Sequence, residues 1–183
     1  MRALFILLLL SGPAMAQPRP PSPAQVELDR AFDALRTAPD EPGAALVEQR
    51  IRQLLAARAT PSITLLLARG QRNLSGNQPA EALEDFDAAI TLAPDATDPW
   101  FGRALAAHAA GDAPAAARDL QQVLRLEPRH WAALQQLAAW QEEAGDAAGA
   151  LRSFEAALAI HPRLRGGQAR LRELRRKALG DDA

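Results

Sequence analysis

Cysteine and tyrosine are absent from this chain of 183 residues, and lysine occurs once, at Lys177. Without cysteine there is no disulfide and no thiolate metal site, and cysteine usage gives no reading of redox compartment. Aromatic residues are scarce at 4%, yet 48% of the chain is hydrophobic. The apolar mass is therefore largely Ala and Leu, which suits a stacked helical array with thin interfaces better than a thick globular core. An excess of one charge is also missing, and a net charge of −1 exerts no general pull on nucleic acid. The basic residues are almost all arginine, a bias we assign to coding composition. No apolar run approaches the ~20 residues that span a bilayer. The longest, Ala3 to Leu10, is far shorter.

Catalytic motifs are missing too. No Gly-rich phosphate loop and no Gly-x-Ser-x-Gly occurs, and His108, His130 and His161 lie far apart without metal-ligand spacing. The acids at Glu84-Asp85, Asp87 and Glu142-Glu143 read as solvated helix faces, and His130 and His161 as polar residues beside turns. The expectation is a protein that is not an enzyme and uses no cofactor.

What the chain does contain is a period of 34 residues, punctuated by Pro94, Pro128 and Pro162. At fixed offsets before each proline stand Phe86, Leu120 and Phe154, then Ala82, Ala116 and Ala150, and also Ala89, Val123 and Ala157. Further back come small Gly70, Ala104 and Ala138, and four residues earlier bulky Leu66, Trp100 and Leu134. A turn falls midway, at Gly76-Asn77, Gly111-Asp112 and Gly145-Asp146. Each half-unit carries apolar residues three or four apart, the mark of an amphipathic helix. Two such helices approach closely where Gly or Ala lets the backbones near. One pair cannot hide both of its apolar faces, so successive pairs must stack into a solenoid.

The pattern of a bulky residue, a small residue four later, Ala, an aromatic or Leu, Ala and Pro resembles the tetratricopeptide repeat over residues 63–162. The ankyrin repeat has a similar length, but its Thr-Pro-Leu-His start is absent. Departures are visible. The aromatic usual late in the first helix is replaced by Asn73, Ala107 and Gln141, and the usual Leu before the small residue is Arg69, Arg103 and Leu137. The first turn also reads one residue long, since Gly76 to Gly111 exceeds the period by one.

Around the repeats (60–94, 95–128 and 129–162) the expected fold is completed by flanking segments, making an all-α solenoid with an N-terminal helical hairpin and a C-terminal capping helix. Residues 1–16 read as a signal peptide: Arg2, an apolar stretch, then Ala14-Met15-Ala16 before a mature start at Gln17. Export follows, to the periplasm if the source is Gram-negative, and no Cys is placed for lipidation. Residues 17–24 read as a proline-rich linker. Residues 25–59 read as a degenerate hairpin or cap, with Val26, Leu28, Phe32 and Leu35 on one face and Leu46, Ile51, Leu54 and Leu55 on another. Thr60-Pro61 and Asp98-Pro99 each read as an N-cap followed by proline at the first helical position. Second helices are expected to start near Asn77 to Pro79, Asp112 to Pro114 and Asp146. Residues 163–179 form the C-terminal helix, its apolar face Leu164, Leu171, Leu174 and Leu179, followed by a disordered tail at 180–183.

The resemblance implies that the first helix of each pair lines an inner groove that binds extended peptides or helices. In this register the groove candidates are Leu67, Gln71 and Leu74, then Phe101, Leu105 and His108, then Gln135, Ala139 and Glu142. Family members that clamp a carboxylate terminus use Lys, Arg and Asn there, and that set is missing. The expected function is an exported scaffold or adaptor that holds an unidentified protein or peptide, with no nucleic acid. A second expectation is attachment to an anionic membrane surface through the basic C-terminal helix, with Arg170, Arg172, Arg175, Arg176 and Lys177 as contacts.

Overall fold

The computed structural model describes residues 22–57 and 59–180. The segment read as a signal peptide, most of the linker and residues 181–183 of the tail lie outside the described residues. Among the described residues there are nine helices and no strand: α1 (Pro23–Arg36), α2 (Glu41–Ala56), α3 (Pro61–Ser75), α4 (Pro79–Leu92), α5 (Thr97–Ala109), α6 (Ala113–Leu126), α7 (Trp131–Glu143), α8 (Ala147–Ile160) and α9 (Gly167–Leu179). Helices α3/α4, α5/α6 and α7/α8 are the three pairs, and each pair packs on the next in chain order. The expected all-α solenoid is what the chain forms.

The small positions do what their spacing required. Ala82, Ala104, Ala116 and Ala150 are fully buried and Ala138 nearly so. Phe86 sits between two glycines: a Cβ at Gly70 would fall 2.9 Å from its ring, and one at Gly102, in the next repeat, 2.4 Å. The ring thus joins α3, α4 and α5 through gaps that only glycine leaves open.

The turn register needs correction. The residues with left-handed backbone are Asn77 (φ 58°), Gly111 (φ 85°) and Gly145 (φ 81°), while Gly76 has an ordinary φ of −83°. Asn77 is therefore the counterpart of Gly111 and Gly145, and the period is 34 at the turn as elsewhere. In each turn the residue after the left-handed one donates back to the first helix: Gln78 N to Asn73 O, Asp112 N to Ala107 O and Asp146 N to Gln141 O. This closure satisfies carbonyls that the helix end leaves free.

Caps place the helix starts. Ser22, Asp40, Thr60, Asp112 and Asp146 each accept from a backbone N–H three residues on. The Ser22 cap with Pro23 behind it starts α1 inside the stretch read as linker. Asp98 does not cap α5. That helix begins at Thr97, and Pro99 is accommodated in its first turn, where backbone N–H groups have no helical partner.

The departures at Arg69, Arg103, Asn73 and Gln141 form a polar ladder. Asp85, only 2% exposed, accepts from Arg69 Nε at 2.6 Å and Asn73 Nδ2 at 2.9 Å. Asp119, 5% exposed, takes both Nε (2.8 Å) and Nη2 (2.7 Å) of Arg103. In the third repeat Leu137 replaces the arginine and Ser153 the aspartate, and Ser153 donates to Gln141 at 2.6 Å. Asp85 is thus not on a solvated face: it is a buried carboxylate matched to its cation. Arg103 also reaches Asp87 of the previous repeat at 2.5 Å.

The N-terminal pair takes an unexpected place. Its apolar face packs on Trp131 and Ala157, of α7 and α8, rather than extending the array in front of α3. Leu28, Phe32, Leu35 and Ile51 are buried there as expected, whereas Leu46 is 70% exposed and Val47 packs inward in its stead. Trp131 meets Phe32 edge-on at 6.0 Å and His161 at 5.6 Å. Polar ties flank the rings: Arg129 to Asp29 at 2.9 Å, Glu48 3.6 Å from His161, and Arg163 Nε to Ala38 O at 3.4 Å. At the other end α9 covers α8 with Leu171 and Leu174 buried, while Leu179 is 65% exposed, off the face expected for it.

Candidate functional site

The first helices α3, α5 and α7 carry the groove candidates. Leu67 and Leu74 are half-buried against the Ala82–Phe86–Ala106 cluster, and Gln71 between them is exposed. Phe101 and Leu105 are half-buried on α5. Phe101 packs with the Ala104–Leu120–Val123–Ala133 cluster and meets the His130 ring at 5.1 Å, so part of its surface joins neighbouring repeats and part stays open. His108 stacks flat on Trp140 at 4.4 Å, with its Nε2 3.3 Å from Glu143. Gln135 and Ala139 line a shallow cavity of about 230 Å³ with Arg170 of α9.

Glu142 is not open for a partner. Lys177 (2.5 Å) and Arg170 of α9 both pair with it, and this holds its carboxyl below the usual carboxylate range. The same two cations pair with Glu173, driving its pKa down to about 2, with Lys177 the first cause. Arg175 pairs with Glu155 at 2.9 Å. Arg170, Arg175 and Lys177, read as membrane contacts, are therefore engaged within the protein.

An apolar space adjoins Phe101. It is a cavity of about 370 Å³ between the hairpin (Phe32, Glu48, Arg52, Leu55, Ala56) and the second and third repeats (Asp98, Phe101, Glu127, His130, Trp131, Ala132). The α6–α7 turn builds its floor. Glu127, buried, accepts from Arg129 Nε at 2.8 Å and Nη2 at 2.9 Å, and the same guanidinium lies 4.1 Å over the Phe32 ring. His130 caps α7, its Nδ1 accepting from Ala133 N at 3.0 Å. Burial lowers the His130 pKa against the opposing pull of Asp98. Although Asp98 as a residue is exposed, its carboxyl is crowded by the cavity wall. That desolvation raises its pKa, against the smaller effects of His130 and Thr97.

Sequence reasoning named Phe101 but missed Asp98, Arg129 and Trp131. Asp98 passed as a helix cap. Trp131 stands where the other repeats have Ile63 and Thr97, and that substitution of a large ring in a repeat position was the available signal. Among the described residues no group of His, Asp and Glu is placed to hold a metal ion, and no helix is long and apolar enough to cross a membrane.

Paired helices stacked through small residues, each closed by a left-handed turn and a proline, define a helical-repeat solenoid of the tetratricopeptide class. No protein-family model matches the chain. Over 160 residues it is 30% identical to a TPR repeat-containing protein of Rhizobium etli, a match covering 87% of this chain and 78% of that protein. The chain belongs to the TPR repeat-containing proteins. Its fold is similar to the crystal structure of MamA (TM-score 0.58, 19% identity, 87% of this chain and 85% of that one). It is also similar to the first TPR of Spaghetti (RPAP3), solved bound to the HSP90 peptide SRMEEVD (TM-score 0.57, 16% identity, 63% and 92%). A third likeness is the TPR2B domain of yeast Sti1 in complex with an Hsp70 peptide (TM-score 0.57, 21% identity, 65% and 97%).

Proposed function

We propose that this chain is an exported scaffold or adaptor that holds a protein or peptide segment along its first-helix face. The observation that carries the reading is the half-open pair Phe101 and Leu105 at the middle of that face, beside an apolar cavity. Apolar side chains left partly in water next to a concavity are what a docked segment would cover. Two structures of similar fold hold peptides, which agrees with this use. The Lys, Arg and Asn set with which family members clamp a carboxylate-terminated tail is missing from the candidate positions, which argues against such a tail as the partner. Docking of α9 to a membrane draws less support, since Arg170, Arg175 and Lys177 already have carboxylate partners.

The test is crosslinking capture from the envelope fraction of expressing cells, with wild type beside Leu105→Asp. The variant is first checked for a native helical spectrum and a cooperative melt. Capture of the same proteins by both would overturn the groove reading. For export, mass spectrometry of the secreted fraction should find a mature N-terminus at Gln17, and an intact Met1 or Arg2 there would overturn that part.

A further inference from the structure

The cavity between the hairpin and the second and third repeats is built for a particular kind of occupant. Its walls are the rings of Phe32, Phe101 and Trp131 with the aliphatic Leu55, Ala56 and Ala132. Three carboxylates reach it. Glu127 is neutralised by Arg129 and Glu48 by Arg52. Asp98 has no cation of its own among the described residues: its neighbours are Thr97 and His130, and His130 is a buried cap whose Nδ1 is already accepting a hydrogen bond. A space of about 370 Å³ is enough for a long side chain, by comparison with ligand pockets that start near ~300 Å³. Apolar and aromatic walls favour an apolar stem, and aromatic faces also attract cations. An uncompensated carboxylate at the edge favours a positive end group, while an anionic end group would meet like charge.

We propose that the cavity is a subsite for a Lys or Arg side chain of the bound segment, its stem between Phe101 and Trp131 and its cation on Asp98. The proposal rests on the protein-binding reading above and adds to it the chemistry of one partner residue. A neutral apolar anchor and an acidic one are the excluded alternatives.

The probe is hexylammonium, with hexanol and hexanoate as neutral and anionic controls of equal length, titrated into the full chain by NMR. The indole N–H of Trp131 and the amides of Asp98 and Ala133 report. The expected result is saturable perturbation of these signals by hexylammonium, at least tenfold tighter than by hexanol, with hexanoate weaker still. Asp98→Asn should weaken hexylammonium at least fivefold without lowering the melting temperature, because burial already works against that charge. Equal binding of ammonium and alcohol, retained affinity in Asp98→Asn, or perturbation confined to other residues would each overturn the subsite. Failure here is separable from failure of the groove. Leu105→Asp tests the groove through partner capture, and Asp98→Asn tests the cavity through a fragment that needs no partner.

Discussion

Asn77 performs in the first repeat the turn that glycine performs in the other two. Its φ of 58° matches those of Gly111 and Gly145, and asparagine is among the few residues that enter this region at modest cost. Asn77→Gly should therefore raise stability by up to ~1 kcal/mol, whereas Gly111→Ala should cost ~1–2 kcal/mol. A Cβ at Gly111 would meet nothing within 4 Å, so the loss is purely one of backbone conformation. Urea unfolding of the two variants checks both signs. His130 is the second single residue with a measurable signature. Its folded-state pKa lies below the ordinary value of ~6.5, so protonation favours the unfolded chain. The stabilisation is complete above pH ~6.5 and declines as pH falls toward the lowered pKa, when the imidazolium can no longer accept from Ala133 N. The melting temperature should drop between pH 7.5 and 5.5 in wild type and drop less in His130→Asn, which keeps a capping oxygen but does not titrate. The repeat period exposed the turn but assigned it one residue early, because glycine is the louder signal and asparagine can serve the same backbone angle.

Among the elements, α9 is held by charge as well as by Leu171 and Leu174. Lys177 and Arg170 depress the pKa values of Glu142 and Glu173, the latter to about 2. A carboxylate with a depressed folded pKa contributes stability that is present above its unfolded value of ~4.3 and lost as pH falls through the folded one. Acid titration from pH 5 to 2 should loosen α9, read as faster hydrogen exchange of its amides, and Glu142→Gln should bring the change to higher pH. High salt should weaken the same contact because these pairs are partly exposed. The helices themselves were legible: the cap at Thr60, helix starts near Asp112 and Asp146, prolines behind α4, α6 and α8, and apolar spacing between. The polar ladder was not. Arg69 and Arg103 read as departures, and only packing reveals that Asp85 and Asp119, sixteen residues later on the partner helix, face them. Pairing across two helices leaves no local periodic trace.

For the molecule as a whole, the hairpin changes how the array should unfold. A plain solenoid has only neighbour contacts, so its stability is a sum along the chain. Here Asp29 pairs with Arg129, and Ala38 O accepts from Arg163, so the first helices close on the last repeat. Deleting residues 22–59 should therefore speed hydrogen exchange in α7 and α8, where Trp131 and Ala157 lose their cover, and leave α3 and α4 nearly unchanged. The reverse order, with α3 and α4 affected most, is what simple end-capping would give.

The 34-residue period, the small residues at closest approach and the helix punctuation are local or periodic properties, and the amino-acid order alone determines them through backbone sterics and amphipathic spacing. The seat of the hairpin, the burial of Asp85 and Asp119, the closing of Glu142 by α9 and the assembly of the cavity around Asp98 all depend on residues far apart in the chain. Those came only from three-dimensional packing, because burial and charge pairing select among surfaces that look equally solvated in one dimension.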